Sequence, residues 1–119
     1  MNGCLFGSHT ATADVNAAVL LARPCRFVSF NVVSGSTARW VKFYDKATAP
    51  GTSDVPFLVI KTNASLHLSG GTSVPVGGVE IKNGLAIRIT ANAAENDDTA
   101  VSANDVVLKY YYASTYSPG

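Results

Sequence analysis

A chain of 119 residues with a formal net charge of +1 is sized for one domain and leaves no room for a second. Hydrophobic residues make up 47% of it and charged residues 14%, well below the quarter usual in soluble domains, so the surface is largely small, polar and uncharged, a composition suited to meeting other protein. No Lys/Arg cluster supplies the local excess of cations that DNA or RNA binding requires, and the apolar run Ala17 to Ala22 is too short for a membrane span or signal peptide, so synthesis in the cytoplasm is expected.

Met1 to Asn16 is rich in Gly, Ser, Thr, Asn and Ala and lacks periodicity. It is expected to be an extended arm (1–16) ahead of a β-domain (17–119), with Leu5 and Phe6 as apolar anchors for a neighbour. Cys4 and Cys25 suggest no disulfide framework and are expected as buried or half-buried free thiols. Val15 to Ala22 reads as a strand by position. It leads through Arg23-Pro24 into Cys25 to Ser34, where alternation places Val28, Phe30 and Val32 inward.

The next stretch, Ala38 to Lys61, holds two aromatic and β-branched runs around a polar connector centred on Pro50-Gly51, the pattern of a long hairpin. In Arg39 to Tyr44, Val41 and Phe43 share one face, and Trp40, Lys42 and Tyr44 the other. Val55 to Ile60 is apolar on both faces and is expected at the centre of the core. Ala64 to Leu68 reads as a short strand with Leu66 and Leu68 inward, followed by bends at Gly70-Gly71 and Gly77-Gly78.

Val79 to Lys82 runs into Asn83-Gly84, a strong signal for a tight hairpin, and Leu85, Ile87 and Ile89 then form an aliphatic face. Ala91 to Asn104 is a polar loop. It delivers the chain to a closing strand, Asp105 to Ala113, with Val106, Leu108, Tyr110 and Tyr112 on one face. About seven or eight strands without a helical pattern predict an all-β fold, a single antiparallel β-sandwich of jelly-roll type.

A hydrolase needs a nucleophile beside a base, and neither His9 nor His67 lies in a nucleophile motif, so the chain is not expected to be an enzyme. The best cation candidate is Glu95, Asp97 and Asp98, but these lack the spacing of a calcium loop and are expected to form a solvated acidic tip. No metal or cofactor is expected. Aromatics with a polar tip favour interfaces, and Trp40, Tyr44, Tyr111 and Tyr116 are expected outward, joining Leu5 and Phe6 as interface candidates.

Four stretches occur in a recognisable order: Lys42-Phe43-Tyr44-Asp45-Lys46-Ala47-Thr48-Ala49-Pro50; Val55-Pro56 before an apolar strand; Gly84-Leu85-Ala86-Ile87 before an Ile-Thr pair; and Asp98-Thr99-Ala100-Val101 leading to Asn104-Asp105-Val106. Together they resemble a family of short virion structural proteins of tailed bacteriophages, some of them capsid decoration (cement) proteins. The Cys4-bearing segment and the Tyr-rich last strand depart from that pattern. The resemblance implies a symmetric homo-oligomer, a trimer by preference, that docks on the major capsid protein at the outer surface of the virion and stabilises the shell. The alternative is a tail or fibre component that binds a host-surface glycan through exposed aromatics.

Overall fold

The computed structural model describes residues 5–35, 37–62, 67–69, 74 and 77–114. Cys4, Leu66, Gly70-Gly71 and Tyr116 therefore lie outside the described residues, as do Met1 to Gly3. The described chain is all-β: β1 (Leu5–Thr10), β2 (Ala18–Leu21), β3 (Cys25–Ser34), β4 (Trp40–Asp45), β5 (Leu58–Lys61), β6 (His67–Ser69), β7 (Val79–Ile81), β8 (Leu85–Thr90) and β9 (Val106–Ser114). Every pairing is antiparallel, and the strands form two sheets of a sandwich. The first sheet runs β1-β9-β3-β6, with β7 also paired to β3; the second runs β2-β8-β4-β5. The pairs are nested in the sequence, β1 with β9, β2 with β8, β3 with β6 and β4 with β5.

The core is the apolar side of both sheets. Phe27 and Phe30 of β3 meet Phe43 of β4 with ring centroids 4.9 and 5.8 Å apart, and Val32, Val41, Ile87, Ile89, Val106 and Leu108 are buried around them. Alternation is obeyed along β4, β8 and β9 but not along β3. A register shift between Phe27 and Ser29 inserts one extra residue, so Cys25 and Phe27 point inward before it, and Phe30, Val32 and Ser34 after it. Val28, expected in the core, is the displaced residue and is only half-buried.

Three expectations about chain organisation are corrected. The arm is not separate, because Leu5–Thr10 pairs along its whole length with β9 and adds a strand to the expected count. Gly7 permits this: a Cβ there would run into the Tyr110 ring, which lies across it. Val55 to Ile60 is not the centre of the core. Its paired part, β5, is an edge strand, and Val55 is 74% exposed; Ile60 is buried and Leu58 packs against the core, while Phe57, 38% exposed, sets its ring centroid 6.1 and 6.4 Å from those of Phe27 and Phe43.

The third correction concerns Asn83-Gly84, which does not close a hairpin. β7 pairs with β3 in the first sheet and β8 with β4 in the second, so the turn is an arch between sheets. The Asp45 carboxylate decides this by accepting the backbone N–H groups of Lys82 (3.0 Å), Asn83 (2.8 Å) and Gly84 (3.4 Å), while Lys46 N–H donates to Gly84 O at 2.7 Å. Neither Asn83 nor Gly84 has the positive φ that a tight two-residue hairpin turn demands. A side chain at Gly84 would strike the backbone of Leu21, Ala47 and Lys46.

The outer face of the second sheet is covered at its centre, over β8 and β4, and open at its β5 edge. Lys42, Tyr44, Ala86, Arg88 and Thr90 are all buried, although only the opposite face belongs to the core. Lys42 and Arg88 are cross-strand partners, and residues 91–99 fold over them. Lys42 Nζ donates to Ala94 O (2.5 Å); Arg88 donates to Glu95 O (3.4 Å), Asp97 O (2.7 Å) and Asp98 Oδ1 (2.9 Å). Ala91 N–H to Thr99 O, at 3.0 Å, closes the neck of this loop. Burial next to the Arg88 charge pulls the Lys42 ammonium below its usual range.

Candidate interaction face

The outer face of the first sheet is the counterpart of the covered one, and it is bare. Register places Phe6, Tyr111 and Ser29 in one row across β1, β9 and β3, Ser8, Lys109 and Asn31 in the next, and Thr10, Val107 and Val33 in the third. None of these residues is buried; Phe6 is 68% and Val33 50% exposed. Lys109 is the only charge in the block. Asn31 Nδ2 donates to Tyr111 Oη at 2.8 Å, and the Phe6 and Tyr111 rings lie 6.4 Å apart, so the aromatic row is held in place from both sides. A broad, lightly charged β-surface with fixed aromatics can bury area against another protein at little desolvation cost.

The interface candidates separate on this geometry. Leu5 (49% exposed) and Phe6 lie on β1, and Tyr111 lies beside Phe6. Trp40 is half-buried at the far side of the second sheet, with Lys61 Nζ 5.6 Å from its ring centroid. Tyr44 is a correction: it is 1% exposed, its hydroxyl has no hydrogen-bond partner among the described residues, and it cannot serve an interface. Tyr116 lies outside the described residues. Val33 was not named as a candidate, although the alternation that turns Val32 inward turns Val33 outward, because on the strands only aromatics with a polar tip were weighed.

The acidic cluster lies on an exposed loop, with Glu95 and Asp98 in solvent, and its carboxylates do not converge. Asp97 accepts from Asn92 N–H (3.2 Å), Asn92 Nδ2 (3.1 Å), Thr99 N–H (3.2 Å) and Thr99 Oγ1 (3.0 Å). Desolvation pushes its pKa up, but these bonds outweigh it and hold the carboxyl below the usual range. Asp98 turns to Arg88, and Glu95 contributes its backbone carbonyl to the same guanidinium. No group of three His, Cys, Asp or Glu among the described residues is arranged to hold a metal ion.

His9 lines an open cleft of about 340 Å³ with Thr12, Asp14 and Asn16. Its Nε2 lies 2.8 Å from Asn16 Oδ1, which also accepts Thr12 N–H (2.9 Å), and Asp14 Oδ1 accepts Asn16 N–H (2.6 Å). These polar groups serve the turn between β1 and β2, in which Asn16 adopts φ 52°. The Thr12 hydroxyl joins them, donating to Asp14 Oδ1 at 3.0 Å. His67 belongs to β6, its side chain outside the described part. Cys25 is a buried free thiol whose pKa desolvation pushes up to about 11, so it is held as the unreactive thiol. No protein-family model matches the chain, and comparison with curated proteins finds no match.

Proposed function

We propose that the protein is a non-enzymatic structural component of a tailed-phage virion, a decoration protein that docks on the outside of the capsid as a symmetric oligomer and stabilises the shell. The observation that carries this reading is the bare outer face of the first sheet, with Phe6, Tyr111 and Val33 exposed or half-exposed, set against the outer face of the second, which is covered over Lys42, Tyr44 and Arg88 and open only toward its β5 edge, where Val59 is 37% exposed. Two further features support it. The four stretches between Lys42 and Val106 resemble that family, and the nested strand pairing supports a jelly-roll arrangement of the sandwich, an architecture used in viral shells. A decoration protein acts by mass action, adding burial that only the assembled shell offers. Glycan recognition has less support, since Tyr44 is buried and Trp40 and Tyr111 present only part of their rings.

The test is co-sedimentation of the purified protein with genome-free capsids of the phage that encodes it, followed by electron microscopy of the pellet. Near-stoichiometric pelleting is expected for the wild-type chain, and its loss for the Phe6→Lys, Val33→Lys double variant with an unchanged circular dichroism spectrum. Wild-type protein left in the supernatant overturns the proposal, as does full pelleting of the double variant.

A further inference from the structure

We infer that two copies of the chain join edge to edge through β1, in antiparallel register about a two-fold axis at Ser8, to make one continuous sheet from the two first sheets. The sheet edges are the starting observation. An unpaired edge invites another strand, and proteins guard theirs with short strands, bulges, Pro or charge. Four edges here are guarded. β6 and β7 have three residues each; β2 carries a register shift between Val19 and Leu21 and runs into Arg23-Pro24; β5 is preceded by Pro56 and ends on Lys61. β1 has six residues, Leu-Phe-Gly-Ser-His-Thr, with no bulge against β9, no Pro and no Lys, and no described strand lies on its other side.

Backbone direction specifies the partner. Ala11 N–H donates to Val106 O at 2.8 Å, and Gly35 N–H to Asp105 O at 2.8 Å, so Val106 turns its backbone groups toward β1 and Asp105 toward β3. By alternation, Leu5, Gly7 and His9 direct their backbone groups at β9, and Phe6, Ser8 and Thr10 direct theirs to the open side. A second β1 in antiparallel register satisfies all three at once when Ser8 opposes Ser8 and Phe6 opposes Thr10. A slip of one residue turns one copy's core face outward; a slip of two leaves one of the three positions without a partner from β1. Charge permits the approach: no Asp, Glu, Lys or Arg occurs before Asp14, so two copies meet without repulsion. Such a pair closes on itself as a dimer, and it places two bare outer faces side by side.

Self-pairing through β1 holds whether or not the protein coats a capsid, so its tests use the isolated chain. Sedimentation velocity at tens of micromolar is expected to give a dimer, and Ser8→Lys, which sets two ammonium groups against each other on the axis, a monomer. Ser8→Pro is expected to give the same loss with an unchanged circular dichroism spectrum, because the Ser8 N–H is not used in the ladder to β9. In a Cys4→Ser background, Ser8→Cys is expected to form a reducible cross-linked dimer on mild oxidation, since paired residues at this kind of site have Cα atoms about 5.5 Å apart. Phe6→Cys, whose partner is Thr10, is not. A monomer or trimer at every concentration overturns the inference, as does cross-linking of Phe6→Cys as readily as Ser8→Cys.

Discussion

Asp45→Ala tests the arch that separates the two sheets. Asp45 accepts two short backbone bonds, from Asn83 and Lys82, and a longer one from Gly84. Bonds to a charged acceptor contribute about 1.5–3 kcal/mol each, and the exposed position of Lys82 and Asn83 lets water replace part of that, so the loss is about 2–3 kcal/mol. A domain of this length shifts in Tm by roughly 3–5 °C per kcal/mol, which puts the expected drop near 6–15 °C. The assay is urea unfolding followed by the fluorescence of the single tryptophan, Trp40, at pH 7 and through the acid range. Burial raises the Asp45 pKa, but the three amides outweigh it and the folded value lies below the ordinary one. Its contribution is therefore complete above the unfolded carboxylate pKa, about 4, and fades as pH falls through the folded value. The gap between wild type and variant should close in acid. A loss under about 0.5 kcal/mol at neutral pH, the level of an ordinary surface change, or a gap that stays constant in acid would refute the arch as the device that parts β7 from β8.

Arg88→Met should cost about 2–4 kcal/mol, because it strips donors from the Glu95 and Asp97 carbonyls, and should speed hydrogen exchange across 91–99; unchanged exchange there would refute the clasp. Lys42→Met should stay within about 1 kcal/mol of wild type in the same unfolding assay, since loss of one bond to Ala94 is offset by relief of a buried charge. Tyr44→Phe should be neutral or stabilising by about 1 kcal/mol, because the hydroxyl it removes is buried and has no partner among the described residues; a clear loss of stability would reveal one. Cys25 should react with a thiol reagent at pH 8 only on unfolding, so rapid reaction of the native protein would contradict its burial and raised pKa.

The sandwich was legible because period-two alternation over β4, β8 and β9 is a local property, and the β4–β5 hairpin follows from its own turn residues. What escaped is set by contacts between distant residues. Asn83-Gly84 reads as a hairpin until Asp45, 37 to 39 residues away in sequence, captures its amides. Lys42 shares the face on which Trp40 and Tyr44 are expected outward, and nothing local says that the carbonyls of 94–97 will cover it and its cross-strand partner Arg88. The displacement of Val28 moves the first part of β3 to the opposite parity, so Cys25 and Phe27 turn inward where alternation from Val32 backward places them outward. Leu5 and Phe6 were read as contact residues from their apolar character alone; that they sit on a strand depends on Gly7 admitting the Tyr110 ring.

The bare face and the β1 edge make different demands on binding, and they can be separated. A flat surface with a single charge, at Lys109, offers many shallow contacts, so one copy holds a shell weakly. A β1-paired dimer presents two such faces at fixed spacing, and when both reach sites on a repeating shell the second contact is intramolecular, raising apparent affinity by about 10²–10⁴-fold without a new contact. Ser8→Pro leaves Phe6, Tyr111 and Val33 in place, takes one hydroxyl from the middle row of the face and removes the pairing, so it should bind shells that much more weakly while keeping the same footprint in electron density. Phe6→Lys with Val33→Lys should instead abolish the footprint. Equal binding by Ser8→Pro and wild type would mean that the shell, not the dimer, sets the affinity, and would leave β1 pairing without a part in attachment.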